Sequence, residues 1–109
     1  MKVEKRECIH TIITAERLDA LDWPKLKDEV KELAQECGVH LVLDMGKTLF
    51  IDSIGCGEIV SLHKTLTMNQ GEMRIARPTP RVLEILQLTR LHRVFEIYDS
   101  VESAVEAFT

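Results

Sequence analysis

The run Leu41-Val42-Leu43, three apolar residues closed by Asp44, restricts this chain more than any other stretch. An uninterrupted apolar run of this kind reads as a strand buried on both faces, and such strands belong to mostly parallel sheets covered by helices. A loop from Met45 to Leu49 follows, then Phe50-Ile51, then Asp52-Ser53. Beyond them Ile59, Leu62, His63 and Leu66 fall at i, i+3, i+4 and i+7, one face of a helix over Gly57 to Met68. Asp52 and Ser53 therefore stand where a strand-to-loop excursion turns into a helix N-terminus. A hydroxyl at such a point is either a cap or a place to carry negative charge.

The remaining elements alternate around that stretch. Ile9 to Thr14 is rich in β-branched residues and predicts a strand, with Val3 starting a short partner before it. Asp22 is a candidate helix cap with Pro24 in the first turn, and Leu26, Val30, Leu33, Ala34 and Cys37 then line one helical face up to Gly38. Asn69-Gln70-Gly71 is a turn, and Met73 to Ala76 a short strand. Thr79 before Pro80 predicts a cap, with Val82, Leu83, Ile85 and Leu86 spaced for a short helix. Val94 to Ile97 reads as a last strand. Asp99 with Glu102 makes a capping box ahead of Val101, Ala104, Val105 and Phe108. The order predicts an α/β fold: one domain over residues 1–109, with a four- to five-stranded mixed, mostly parallel sheet and about four helices.

Charge and cysteine usage narrow the possible partners. A net charge of −4 argues against direct nucleic acid binding or an anionic membrane, since either would favour a basic face. No apolar run approaches the ~20 residues of a membrane span, and the charged start Met1 to Glu7 has no apolar core behind it, so no signal peptide is expected. Three cysteines without a CxxC spacing fit free thiols in a reducing, cytoplasmic setting.

The chemistry-bearing motifs mostly fail. Gly46-Lys47-Thr48 ends like a P-loop, but Leu41 occupies the place of the first glycine and no helix opens after Thr48. Gly55-Cys56-Gly57 begins like a dinucleotide fingerprint, but Val60 replaces the third glycine. Its glycines read instead as places where the backbone turns and packs closely. His10, His40, His63 and His92 are scattered without ligand spacing, so neither a metal nor a cofactor is expected. His63 reads as a partly buried core residue, and Cys56 as a small buried hydrophobe rather than an activated thiol. No base or orienting group accompanies Ser53, and nothing here compels an enzyme.

The run from Leu41 to Gly57 resembles the signature of STAS domains, the family of anti-sigma factor antagonists. There an apolar strand, an Asp, a short loop and an aromatic or apolar pair precede Asp-Ser-(Ser/Thr)-Gly-Leu-Gly. Leu18-Asp19-Ala20, Gly71 with Met73 to Ala76, Pro80, Leu88-Thr89-Arg90-Leu91, Phe95 to Ser100 and Ala104 agree with later parts of the pattern. Ile54 replaces the usual second Ser or Thr, and Cys56 the usual Leu. Arg90 stands where a glycine often caps the third helix, and Thr14 to Arg17 lack the glycine usual before Leu-Asp. These departures mark a divergent member.

The resemblance implies that Ser53 is phosphorylated by an anti-sigma factor that is also a serine kinase, with Asp52 shaping the site. It also implies that a phosphatase resets the switch. The expected contact surface is the Met45 to Gly57 loop and the exposed face of the following helix: Asp52, Ser53, Ile54, Gly55, Cys56, Glu58, Ser61 and Lys64. Two other readings carry different consequences. One is a non-switching STAS subunit of a transporter or other multiprotein complex, and the other a module that binds a small ligand or nucleotide. The sequence does not set the oligomeric state.

Overall fold

A computed structural model describes residues 9–19, 23–36 and 38–108. Its elements are β1 (Ile9–Ile13), β2 (Arg17–Leu18), α1 (Trp23–Leu33), β3 (His40–Asp44), β4 (Phe50–Ile51), α2 (Ser53–Met68), β5 (Glu72–Ala76), α3 (Pro80–Leu88), a 3-10 turn (Leu91–Arg93), β6 (Ile97–Tyr98) and α4 (Val101–Glu106). The main sheet has the order β1-β3-β5-β6, and β2 pairs with β4 in a separate two-stranded ladder. All of these pairings are parallel, so the described strands form no mixed sheet. The fold is α/β, as the alternation of elements predicts.

The apolar run of β3 explains the layering. Leu41 and Leu43 point into the larger core, where Met73, Ile75, Val30, Ile59, Leu62, Leu66 and Leu86 meet them. Val42, between them, turns to the opposite face with Ala76 and Ala104, under Val101 and Val105 of α4 and Phe108 just beyond it. All three β3 residues are fully buried, which is why the run carries no polar alternation.

Several elements differ from the sequence expectations, each for a local reason. Helix α2 begins at Ser53, earlier than Gly57, because the Asp52 carboxylate caps it by accepting from the Gly55 N–H at 2.6 Å. Val94 to Glu96 is no strand. The chain leaves α3 through Arg90 at φ +63° and a 3-10 turn, which drops Phe95 into the core and leaves Val94 exposed. Helix α4 is capped by Ser100, whose Oγ accepts from the Ser103 N–H at 3.1 Å, and not by Asp99. The Thr79 cap and Pro80 are as expected, and Gly38 has φ +78°. The expected roles of Val3, Asp22 and Cys37 lie outside the described residues.

Candidate functional site

The β3–β4 loop and the start of α2 lie at the C-terminal ends of the strands, where an α/β sheet presents its functional loops. The loop is tied down along its length. The Gly46 N–H donates to Asp44 Oδ1 at 3.0 Å, and the Leu49 N–H to the Glu16 carbonyl at 2.7 Å. Thr48 is fully buried, donating from Oγ1 to the Ala15 carbonyl at 2.7 Å and sharing a 2.5 Å hydrogen bond with the Thr14 hydroxyl. The Thr79 hydroxyl closes on the Thr48 carbonyl at 2.8 Å. A buried threonine hydroxyl spent on the Ala15 carbonyl and the Thr14 hydroxyl is no phosphate ligand, so the Gly46-Lys47-Thr48 run has a structural use.

From that anchored loop, β4 leads directly into the cap. Asp52 is extended (φ −96°, ψ 179°) and its carbonyl accepts the first bond of the helix, from the Cys56 N–H at 3.0 Å. Ser53 follows as the first helical residue and is exposed. The capping is done by Asp52, so the Ser53 hydroxyl is not needed for it. No acidic residue lies in the first turn of α2, and Ser53 stands at the positive end of that helix next to the Asp52 cap.

Beneath Ser53 the packing is close. A Cβ built on Gly55 would meet Trp23 Cζ2 at 2.6 Å and Nε1 at 2.7 Å. The indole is itself buried and held by its Nε1–H, which donates to the Leu18 carbonyl at 3.0 Å. Trp23 therefore joins the β2–α1 junction to the first turn of α2. The sequence reading missed it; the available signal was the chain's single tryptophan standing before Pro24 at a helix start. Gly57 is different: it is exposed and a Cβ there would meet nothing within 4 Å. Gly57→Ala should therefore stabilise the protein by about 0.8–1 kcal/mol through helix propensity, read as a raised urea midpoint with unchanged slope.

Cys56 is buried, and burial pushes its thiol up, with the Asp52 charge adding to the rise and a hydrogen bond to Thr89 opposing it. It is a protonated packing residue at neutral pH, as the sequence suggests. His63 stacks edge-on against Phe95 with ring centroids 5.0 Å apart, and burial lowers its pKa against a smaller upward pull from Glu72. Among the described residues no group of three or more His, Cys, Asp or Glu side chains could hold a metal ion.

The candidate contact residues divide by depth. Ser53, Ile54, Ser61 and Lys64 are exposed, Asp52 and Glu58 are half-buried, and Gly55 and Cys56 lie buried beneath them. Glu58 borders a groove with Trp23, Pro24, Lys27, Lys31 and Ile54. Large apolar residues that periodicity did not single out are also exposed: Leu49 at the end of the loop, Val60 on α2, and Met68 at the far end of that helix. No helix among the described residues is long and apolar enough to cross a membrane.

A family profile, that of the STAS domain, matches residues 1–104. The anti-sigma-B factor antagonist of Listeria monocytogenes is 26% identical over 98 residues, covering 89% of this chain and 86% of that protein. The solved structure of the anti-sigma factor antagonist SpoIIAA in its unphosphorylated form superposes with a TM-score of 0.78 at 18% identity, covering 90% of this chain and 85% of that one. The STAS domain of a SulP transporter from Vibrio cholerae superposes with a TM-score of 0.75 at 13% identity, covering 91% and 79%. At these identities the two superpositions speak for the fold.

Proposed function

The chain belongs to the STAS domain family, and from that membership we propose that it is a regulatory binding module of the anti-sigma factor antagonist type, switched by phosphorylation of Ser53. Without phosphate it binds an anti-sigma factor that is also a serine kinase, through the start of α2 and the exposed face beyond it. Ser53, Ile54, Ser61 and Lys64 make the contacts, with Asp52 and Glu58 at their side and Gly55 and Cys56 supporting them from below. The kinase phosphorylates Ser53 and loses its grip, and a phosphatase restores the first state. The protein works as one binding domain in this account, without catalysis or cofactor of its own.

The observation that carries the reading is the division of labour between Asp52 and Ser53. Asp52 supplies the cap, which leaves the neighbouring hydroxyl exposed and structurally idle. A phosphate there adds about −1.5 to −2 charges. Within the folded chain the helix end attracts it by about 0.3–1 kcal/mol, while the Asp52 carboxylate repels it. These opposed effects leave the fold standing. In a packed interface the same dianion has to be stripped of water and meets any acidic group of the partner, so binding weakens sharply. The antagonist names of the relatives and the unphosphorylated form named for SpoIIAA support this reading.

Ser53→Ala and Ser53→Asp serve as parallel baits in cell extract of the native host, with retained proteins identified by mass spectrometry. The alanine bait should retain a serine-kinase-like protein and the aspartate bait should lose it, at equal melting temperatures. Retention of one transporter component by both baits would favour a permanent subunit, whose likeness in fold is the SulP domain.

A further inference from the structure

At Arg77, just after β5, the backbone is left-handed with φ +54°. A non-glycine residue there costs free energy, and such strain persists where surrounding contacts over-determine it. The contacts are specific. The Arg77 Nε–H donates to Asp44 Oδ1 at 2.9 Å and Nη2–H to Oδ2 at 3.3 Å, a two-point clasp on a carboxylate only 8% exposed. The same Oδ1 accepts the Gly46 N–H at 3.0 Å. The guanidinium also covers Gly46: a Cβ built there would lie within 3.0 Å of its Nη2, Cζ and Nε. The hydrogen bond to Asp44, and after it the Asp44 charge, hold the Arg77 pKa above its usual value.

We propose that Arg77 is a positioning residue for the Ser53 site: clasped on Asp44 and laid over Gly46, it fixes the entry of the loop that delivers Leu49 to Ile54. Thr48 anchors the far end of that loop, and Arg77 anchors the near end from a different strand. This explains a strained arginine where glycine would fit more easily. The long side chain reaches both the buried carboxylate and the loop backbone, and glycine reaches neither. The functional part of the inference rests on the Ser53 switch described above.

Amide hydrogen exchange on the full chain, read residue by residue in wild type, Arg77→Gly, Arg77→Lys and Gly46→Ala, tests it. Arg77→Gly relieves the backbone strain as it removes the ion pair, so its melting temperature should stay close to wild type. Its Gly46 and Leu49 amides should exchange about tenfold faster, the factor that corresponds to losing one charge-assisted hydrogen bond, while Leu62 in the α2 core keeps its rate. Gly46→Ala should reproduce the effect by displacing the guanidinium, and Arg77→Lys should restore part of the protection. In protein recovered from the native host, phosphate on Ser53 should fall in Arg77→Gly at unchanged melting temperature. Unchanged exchange at Gly46 and Leu49, or faster exchange spread equally into Leu62, overturns the proposal. If wild type carries no phosphate on Ser53, the switch fails and the functional role of Arg77 with it; the exchange rates still decide separately whether the clasp holds the loop.

Discussion

Trp23→Ala is expected to cost about 3–5 kcal/mol, a large share of the roughly 5–15 kcal/mol that holds a typical domain. The indole is 3% exposed and packs in the main core, so its removal leaves a cavity that the helices can close only in part. It also strands the Leu18 carbonyl, which accepts the indole N–H at 3.0 Å. The damage falls on one corner, where β2, α1 and the first turn of α2 meet, so the presentation of Ser53 should suffer before the rest of the sheet. Urea unfolding followed by far-UV circular dichroism measures the loss, and a change under 1 kcal/mol would mean that the indole is not held as described.

Gly55→Ala is the second large effect and has the opposite sign to Gly57→Ala. Helix propensity favours alanine at both positions by about 1 kcal/mol. At position 55, however, the new methyl would stand 2.6–2.8 Å from three atoms of a ring that is pinned by its own hydrogen bond. Overpacking of this kind costs about 1–3 kcal/mol or more, so the net change is destabilising. The two residues should also be coupled. In the Trp23→Ala background the methyl enters the vacated space, and Gly55→Ala becomes neutral or favourable. A double-mutant cycle should therefore show a coupling of about 1–3 kcal/mol, and additive losses would refute the contact.

These contacts show where sequence reading ends. The layers of the fold were legible because burial imprints itself on local pattern: β3 on an unbroken apolar run, α2 on the spacing of Ile59, Leu62 and Leu66. The turn to helix at Asp52-Ser53 was legible from cap chemistry, although the two glycines concealed how early α2 begins. Elements too short to show a period were not legible. The β2–β4 ladder has two residues on each side, Arg17 and Leu18 against Phe50 and Ile51. Val94 and Phe95 have strand-like side chains, yet Arg90 in its left-handed conformation sends them round a 3-10 turn. The pattern pointed to Asp99 as the cap of α4, whereas the cap is Ser100, one residue further on. Trp23 on Gly55 and Arg77 on Asp44 join residues distant in the chain, so no spacing rule announces them.

In the proposed switch, the exposed hydroxyl of Ser53 carries a reversible phosphate. The most direct measurement is peptide mapping by mass spectrometry of the intact protein isolated from its native host under several growth conditions. A phosphorylated fraction is expected, located on Ser53 and changing with conditions, that disappears in Ser53→Ala. Absence of phosphate on Ser53 under every condition, or its presence on Ser61 instead, would contradict it.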